Sequence, residues 1–243
     1  MTNTIVIPAK FRGPPNSGNG GYVGGAFAQL LGLPADQAVE VTLRAPVPLD
    51  VPLQVDQSGL DQLTIRRDET LIAEVSVADF ALNIPAPPSF ETALSLRDSA
   101  LSLMVREGGS ARGMHPICFC CGADHEQGLH VFAARLDESQ VVAAWETQPT
   151  WQDENGVIPV PYLWTALDCP GQIAYAVEGI RTGLLGRITA RVTKPAIPGA
   201  GHVVTAWRER IEGKKHFAGS AIFDQQGELV ASALAVWIGR RAD

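Results

Sequence analysis

Asp168 stands in an otherwise apolar run, PYLWTALDCPGQIAYAV, from Pro161 to Val177. A carboxylate withdrawn from water is costly unless partners meet it, so an acid in such a segment is a candidate for proton or acyl chemistry. Pro170 removes the helical hydrogen bond to the Ala166 carbonyl, so Asp168 is equally placed to satisfy loosened backbone groups beside a kink. A second candidate is GNGGYVGGAFAQLLG, Gly18 to Gly32, where Gly18, Gly20, Gly21, Gly24 and Gly25 precede an apolar stretch. Each glycine in a helix costs roughly 0.5–1 kcal/mol relative to alanine. Two uses justify them: a backbone that closely approaches a ligand, or a helix that packs closely on its neighbours. Unpaired N–H groups at a helix start, with the partial positive charge there, suit the oxyanion of acyl transfer. A phosphate loop fails on spacing, because Val23 occupies the place of the third glycine and no GK[ST] follows.

The third chemistry-bearing cluster is CFCCGADHEQGLHV, Cys118 to Val131. Cys118 and Cys121 have CxxC spacing, and His115, His125 and His130 are near enough in sequence to complete four ligands nominally. Zinc-knuckle spacing requires a histidine at position 126, which is Glu126, and a further cysteine beyond it that does not follow. No metal and no cofactor are therefore expected, and the thiols read as buried groups at a strand edge. Cys169 has no histidine near it in sequence and is expected to pack. Four cysteines this bunched do not make a disulfide framework, so reduced thiols are the default.

These residues must be positioned by a chain of 243 residues, 46% hydrophobic and 19% charged, with a formal charge of −7. That balance is globular and argues against a nucleic-acid surface, although Arg240 and Arg241 form a local basic spot. No apolar run reaches the length of a membrane span, and MTNTIVIPAKFR lacks a basic region followed by an apolar one. A soluble, cytoplasmic protein is expected.

One order of elements occurs twice. An apolar segment from Tyr22 to Leu31 is followed by strand-like VEVTLRAPVP, PLQVDQSG, LDQLTIRRD and TLIAEVSVADF. The stretch Pro161 to Val177 is followed by GRITARVTKPAIPG, HVVTAWRERIEGKK, HFAGSAIFDQQG and ELVASALAVWIG. Alternation in HVVTAWRERIEG predicts a strand with one face better buried. EGKK and DQQG predict hairpin turns, hence antiparallel neighbours. A helix on one face of an antiparallel sheet, repeated, predicts an α+β architecture. The repeats are expected over residues 1–84 and 113–243. A linker over 85–112 is expected to hold a helix capped by Ser89, carrying Leu94, Leu96, Leu101, Leu103 and Met104, and then a mobile glycine-rich loop.

A helix enclosed by a curved antiparallel sheet and duplicated in one chain resembles a tandem double hotdog of the acyl-CoA thioesterase-like family. CFCCGADHEQGL resembles the CFxCGxxNxxGL opening of many such proteins, with His125 or Glu126 where an Asn is usual. NGGYVGGAFA resembles the HGG-led helix start of phenylacetyl-CoA-type hotdog thioesterases, with Asn19 in place of the His. TALDCPG resembles the same helix in the second repeat, with Asp168 where those enzymes carry their acid. The resemblance implies hydrolysis of an acyl-CoA, or a related acyl thioester, at a site between the two units. Asn19, Gly20 and Gly21 would polarise the carbonyl and Asp168 would act as nucleophile or general base. It implies one competent site: nine residues after Asn19 stands Ala28, and nine before Asp168 stands Pro159. Tyr22, Trp164 and Tyr162 are expected to line an acyl tunnel between the two helices. A non-catalytic acyl- or acyl-CoA-binding module is the alternative, and hydratase segments (GDxNPxH, HFPxxP) are absent. Exposed sheet edges leave a larger homo-oligomer open.

Overall fold

The computed structural model describes residues 3–104 and 114–239. Its order of elements is β1 (Asn3–Val6), α1 (Gly20–Ala28), β2 (Val39–Leu43), β3 (Pro52–Gln57), β4 (Gln62–Arg67), β5 (Thr70–Val77) and α2 (Phe90–Ser95). There follow β6 (Ala134–Arg135), β7 (Gln140–Glu146), α3 (Val160–Ala166), α4 (Cys169–Ala176), β8 (Leu184–Val192), β9 (Gly201–Glu212), β10 (Lys215–Phe223) and β11 (Leu229–Ile238). The strands form one sheet in the order β1-β3-β4-β5-β2-β8-β11-β10-β9-β7-β6. Read outward from its middle, the first half runs β2-β5-β4-β3-β1 and the second β8-β11-β10-β9-β7. Each strand of the first half thus has a counterpart in the second, which carries the two-residue β6 as an extra strand at its edge. The halves join through antiparallel pairing of β2 with β8, Val41 opposite Ile188 and Thr42 opposite Arg187. The architecture is α+β, two hotdog units in tandem, as the duplicated pattern predicts.

Local chemistry explains the element boundaries. The Asn19 side chain caps α1 by accepting from the Tyr22 N–H, and the segment that follows stops at Gly32, whose φ of 67° suits a residue without Cβ. The β9–β10 hairpin turns through Gly213 and the β10–β11 hairpin through Gly227, both at positive φ. Strand β9 departs from expectation, because Gly201 through Trp207 are all buried and both faces are covered. One face meets α4; on the other, α2 packs across β7 and β9, with Phe90 against Gly201.

The linker is correspondingly less regular than a single helix. Ser89 does cap α2, accepting from the Thr92 N–H, but α2 ends at Ser95 and gives way to tighter 3₁₀ turns at Arg97–Ser99 and Leu101–Met104. The hydroxyls of Ser95 and Ser99 donate to the carbonyls three residues back, competing with helical bonding. The expected mobile loop, the boundary at 112 and the Arg240–Arg241 spot lie outside the described residues. No helix among the described residues is long and apolar enough to cross a membrane.

Candidate active site

The second-half helix breaks in two at Asp168. Pro170 has no N–H to give, and Asp168, with ψ near −78°, turns the chain between α3 and α4. The break is anchored from β10, where the Ser220 hydroxyl donates to the Leu167 carbonyl at 2.8 Å. Asp168 is only 2% exposed. Its side chain crosses to the first half, where Oδ2 accepts from the Gly21 N–H at 3.0 Å and from Asn19 Nδ2 at 2.9 Å. Asn19 therefore does two things at once: its oxygen caps α1 and its amide holds Asp168. Burial pushes the Asp168 carboxyl up to about 7, the Gly21 N–H and Asn19 pull it down, and Cys118 adds to the rise. Oδ1 is buried and has no hydrogen-bond partner among the described residues.

Gly21 must be glycine here. A Cβ on it would overlap the Trp164 carbonyl oxygen and stand 2.6 Å from the Cβ of Asp168. On the same face, a Cβ at Gly25 would lie 2.7 Å from the Cα of Pro161, and one at Gly24 would lie 3.0 Å from the Trp164 ring. The glycines thus serve both uses: three of them let α1 lie directly on α3, and the N–H of Gly21 reaches the acid. Gly20, one residue earlier, faces a cavity, and among the described residues its N–H has no hydrogen-bond partner.

That cavity, about 450 Å³, lies beside the N-terminus of α1 and the α3–α4 break, under the ends of β2, β8 and β11. Asn19, Gly20 and Asp168 line it, with apolar walls from Leu43, Val47, Leu185 and Trp237. Both halves contribute. Tyr22, Tyr162 and Trp164 do not line it, which corrects the expected tunnel between the helices. The glycine contacts leave no space there, and Trp164, 2% exposed, fills the seam. Tyr22 stacks on Phe11 at 3.7 Å, and Tyr162 packs edge-on against Phe119. Ala28 occupies the α1 position that answers to Asp168, and Pro159 caps α3 without a side-chain bond.

Cys118, Cys120 and Cys121 lie in a turn rather than at a strand edge, Cys169 opens α4, and three of the four reach the same cavity. Cys118, Cys121 and Cys169 are buried and line it, with Cys118 Sγ 3.7 Å from Cys169 Sγ. Asn19 Nδ2 lies 3.7 Å from Cys118 Sγ and 3.9 Å from Cys169 Sγ. Hydrogen bonds from Cys121 and Cys169 hold the Cys118 thiol well below its ordinary value despite burial, and as donors those two thiols are pushed up. Of the nominal histidine ligands only His115 reaches the cavity. His125 and His130 bond instead to the backbone oxygens of Lys10 and His125. His202, 1% exposed beside Trp145, is held neutral by burial, which lowers its pKa.

Comparison with solved structures supports the fold along nearly the whole chain. A hot dog fold protein of Alicyclobacillus acidocaldarius matches with a TM-score of 0.62 and 12% identity, over 99% of this chain and 93% of the other. The tesB protein of Mycobacterium avium subsp. paratuberculosis matches at 0.57 and 16% identity, over 93% and 88%. A protein of Thermobifida fusca provisionally named thioesterase II matches at 0.60 and 13% identity, over 98% and 93%. The chain is therefore similar to double hotdog proteins in architecture. No family model and no curated protein matches its sequence.

Proposed function

We propose that this chain hydrolyses an acyl thioester, with acyl-CoA as the substrate class, at the cavity joining its two halves. The observation that carries this reading is the crossing of Asp168 from the second half onto Gly21 and Asn19 of the first, beside an unpaired Gly20 N–H in a largely apolar cavity. The acyl chain lies along Leu43, Val47, Leu185 and Trp237, and the thioester carbonyl points at the start of α1. Asp168 takes a proton from a water as the water oxygen attacks the carbonyl carbon. The resulting oxyanion accepts from the Gly20 N–H, and the C–S bond then breaks as the leaving sulfur recovers the proton from Asp168. Gly21 and Asn19 orient the carboxylate by holding Oδ2, which leaves Oδ1 for the water. The names of the similar structures, a thioesterase among them, agree with this reading.

The test is release of free thiol from a series of acyl-CoA substrates by native protein and by Asp168→Asn, with binding of a non-hydrolysable analogue measured alongside. Loss of a positioned general base costs about 10²–10⁴-fold in turnover, so the variant should bind the analogue and release almost no thiol. Native turnover by the variant would remove Asp168 from the chemistry. Analogue binding by native protein without any release would favour the non-catalytic acyl-binding module, for which the occupied Oδ2 is the supporting feature.

A further inference from the structure

The reaction above leaves three buried thiols unexplained. Cys118, Cys121 and Cys169 present their sulfur atoms within 4.8 Å of one another, and all three line the cavity. Sequence spacing pairs the first two; the third is brought in from the start of α4 by the break at Asp168. We infer that these three cysteines form a thiolate site for a soft divalent cation such as Zn²⁺, with the fourth coordination position opening onto the cavity. This inference is independent of the thioester reading.

Geometry supports it first. A tetrahedral Zn²⁺ with Zn–S near 2.3 Å sets its sulfur atoms about 3.8 Å apart, and Cys118 and Cys169 already stand at 3.7 Å. Cys121 needs only a small side-chain adjustment to join them. The turn that carries Cys118 and Cys121 is built tightly. Gly122 N–H donates to the Cys118 carbonyl at 2.8 Å, and a Cβ on Gly122 would overlap the Cys118 nitrogen and the Pro116 oxygen.

The surroundings also supply an outer partner for two of the sulfur atoms. Asn19 Nδ2 faces both Cys118 and Cys169, an outer donor of the kind that orients metal ligands. Each ligating thiol releases its proton to solvent as the sulfur binds the cation. The three thiolates carry one more negative charge than the ion neutralises, and the open position is left for water or a cavity ligand. His115 and Asp168 also lie on the cavity wall, and each carries a donor of the right chemistry to fill it.

Full-length protein, purified with reductant and stripped by chelator, is titrated with Co²⁺ and then with Zn²⁺. One equivalent of Co²⁺ should produce thiolate-to-metal charge-transfer bands and visible bands of tetrahedral intensity, and one equivalent of Zn²⁺ should abolish them. Zn²⁺ should also slow alkylation of Cys118, Cys121 and Cys169 by mass-spectrometric mapping while leaving Cys120 at its own rate. Cys169→Ser should lower affinity by more than the roughly 10–100-fold that an outer partner is worth, and Asn19→Ala by about that 10–100-fold. Cys120→Ser should bind as the native chain does. The inference is overturned by reduced native protein that binds no Co²⁺, by an octahedral spectrum without charge transfer, or by native affinity in Cys169→Ser. If Cys169→Ser does not fold, the spectrum and the alkylation map of the native chain decide.

Discussion

Burying Asp168 has a measurable consequence for stability that does not depend on any substrate. Its carboxyl rises from an ordinary value of 3.8 to about 7 because burial outweighs the bonds from Gly21 and Asn19. Between those values the folded chain holds a proton that the unfolded chain has lost. The contribution of Asp168 to stability is therefore fully present below the unfolded value and is lost as pH rises through the folded one. At about 1.4 kcal/mol per pH unit, the window from 3.8 to about 7 amounts to on the order of 4 kcal/mol. Between about pH 5 and about pH 8 the part recovered is on the order of 3 kcal/mol. Asp168→Asn keeps a carbonyl oxygen for the Gly21 N–H and cannot ionise, so it lacks this slope. Urea unfolding of native and variant protein at several pH values, both treated with chelator so that the cysteine cluster adds nothing, gives the difference in stability directly. The variant should gain on the native chain by that amount as pH rises, and be the more stable at about pH 8. A native-minus-variant difference that stays flat across this range would refute the account of Asp168 as an acid held against its solvation.

Further outcomes are expected at Gly20, Gly21, Asn19 and Tyr175. Gly21→Ala should destabilise by about 1–3 kcal/mol in denaturant unfolding, because the new Cβ meets the backbone of α3 rather than a movable side chain; Gly20→Ala, whose Cβ meets the flexible Leu185, should cost less while narrowing the cavity. Asn19→Ala should cost about 1 kcal/mol for the lost cap and further for the lost bond to Asp168, and Asn19→Asp, which keeps the cap, should still be destabilised at neutral pH by the facing carboxylates. Tyr175→Phe should cost about 0.5–1.5 kcal/mol, since the Tyr175 hydroxyl contacts the carbonyl oxygens of Arg210 and Phe217 at the β9–β10 bulge; thermal unfolding of the purified variant checks it.

The one-sidedness of the site follows from the duplication. Two like halves meet at β2 and β8, so positions along α1 correspond to positions along α3 and α4. The first half carries the capping Asn19 and Gly21 without an acid, since Ala28 stands where Asp168 would answer. The second half carries the acid without the amide donor, since Pro159 stands in the place of Asn19. Only one of the two crossings can therefore assemble an acid on an amide.

Much of this was readable from the chain because it is local. Alternation marks β9 and hairpin residues mark the turns into β10 and β11; Ser89 marks a helix start; Pro170 marks the place where the helix gives way. Each of these depends on a few neighbouring residues and on rules of backbone geometry that hold in any context. The repeated order of elements then gives a helix on an antiparallel sheet twice over, while the joining of the two through β2 and β8 into one sheet is a tertiary event. Tertiary structure alone decided the rest. Which side of α1 holds the cavity depends on how closely glycine lets α3 approach, and Trp164 fills the side that the sequence marked as a tunnel. Both faces of β9 are buried because a short linker helix, distant in sequence, lies across the outer one. Cys169 meets Cys118 and Cys121 because the helix breaks where it does, and no spacing rule links residues so far apart along the chain. Such juxtapositions arise from the summed packing of the whole core, which no local window of sequence contains.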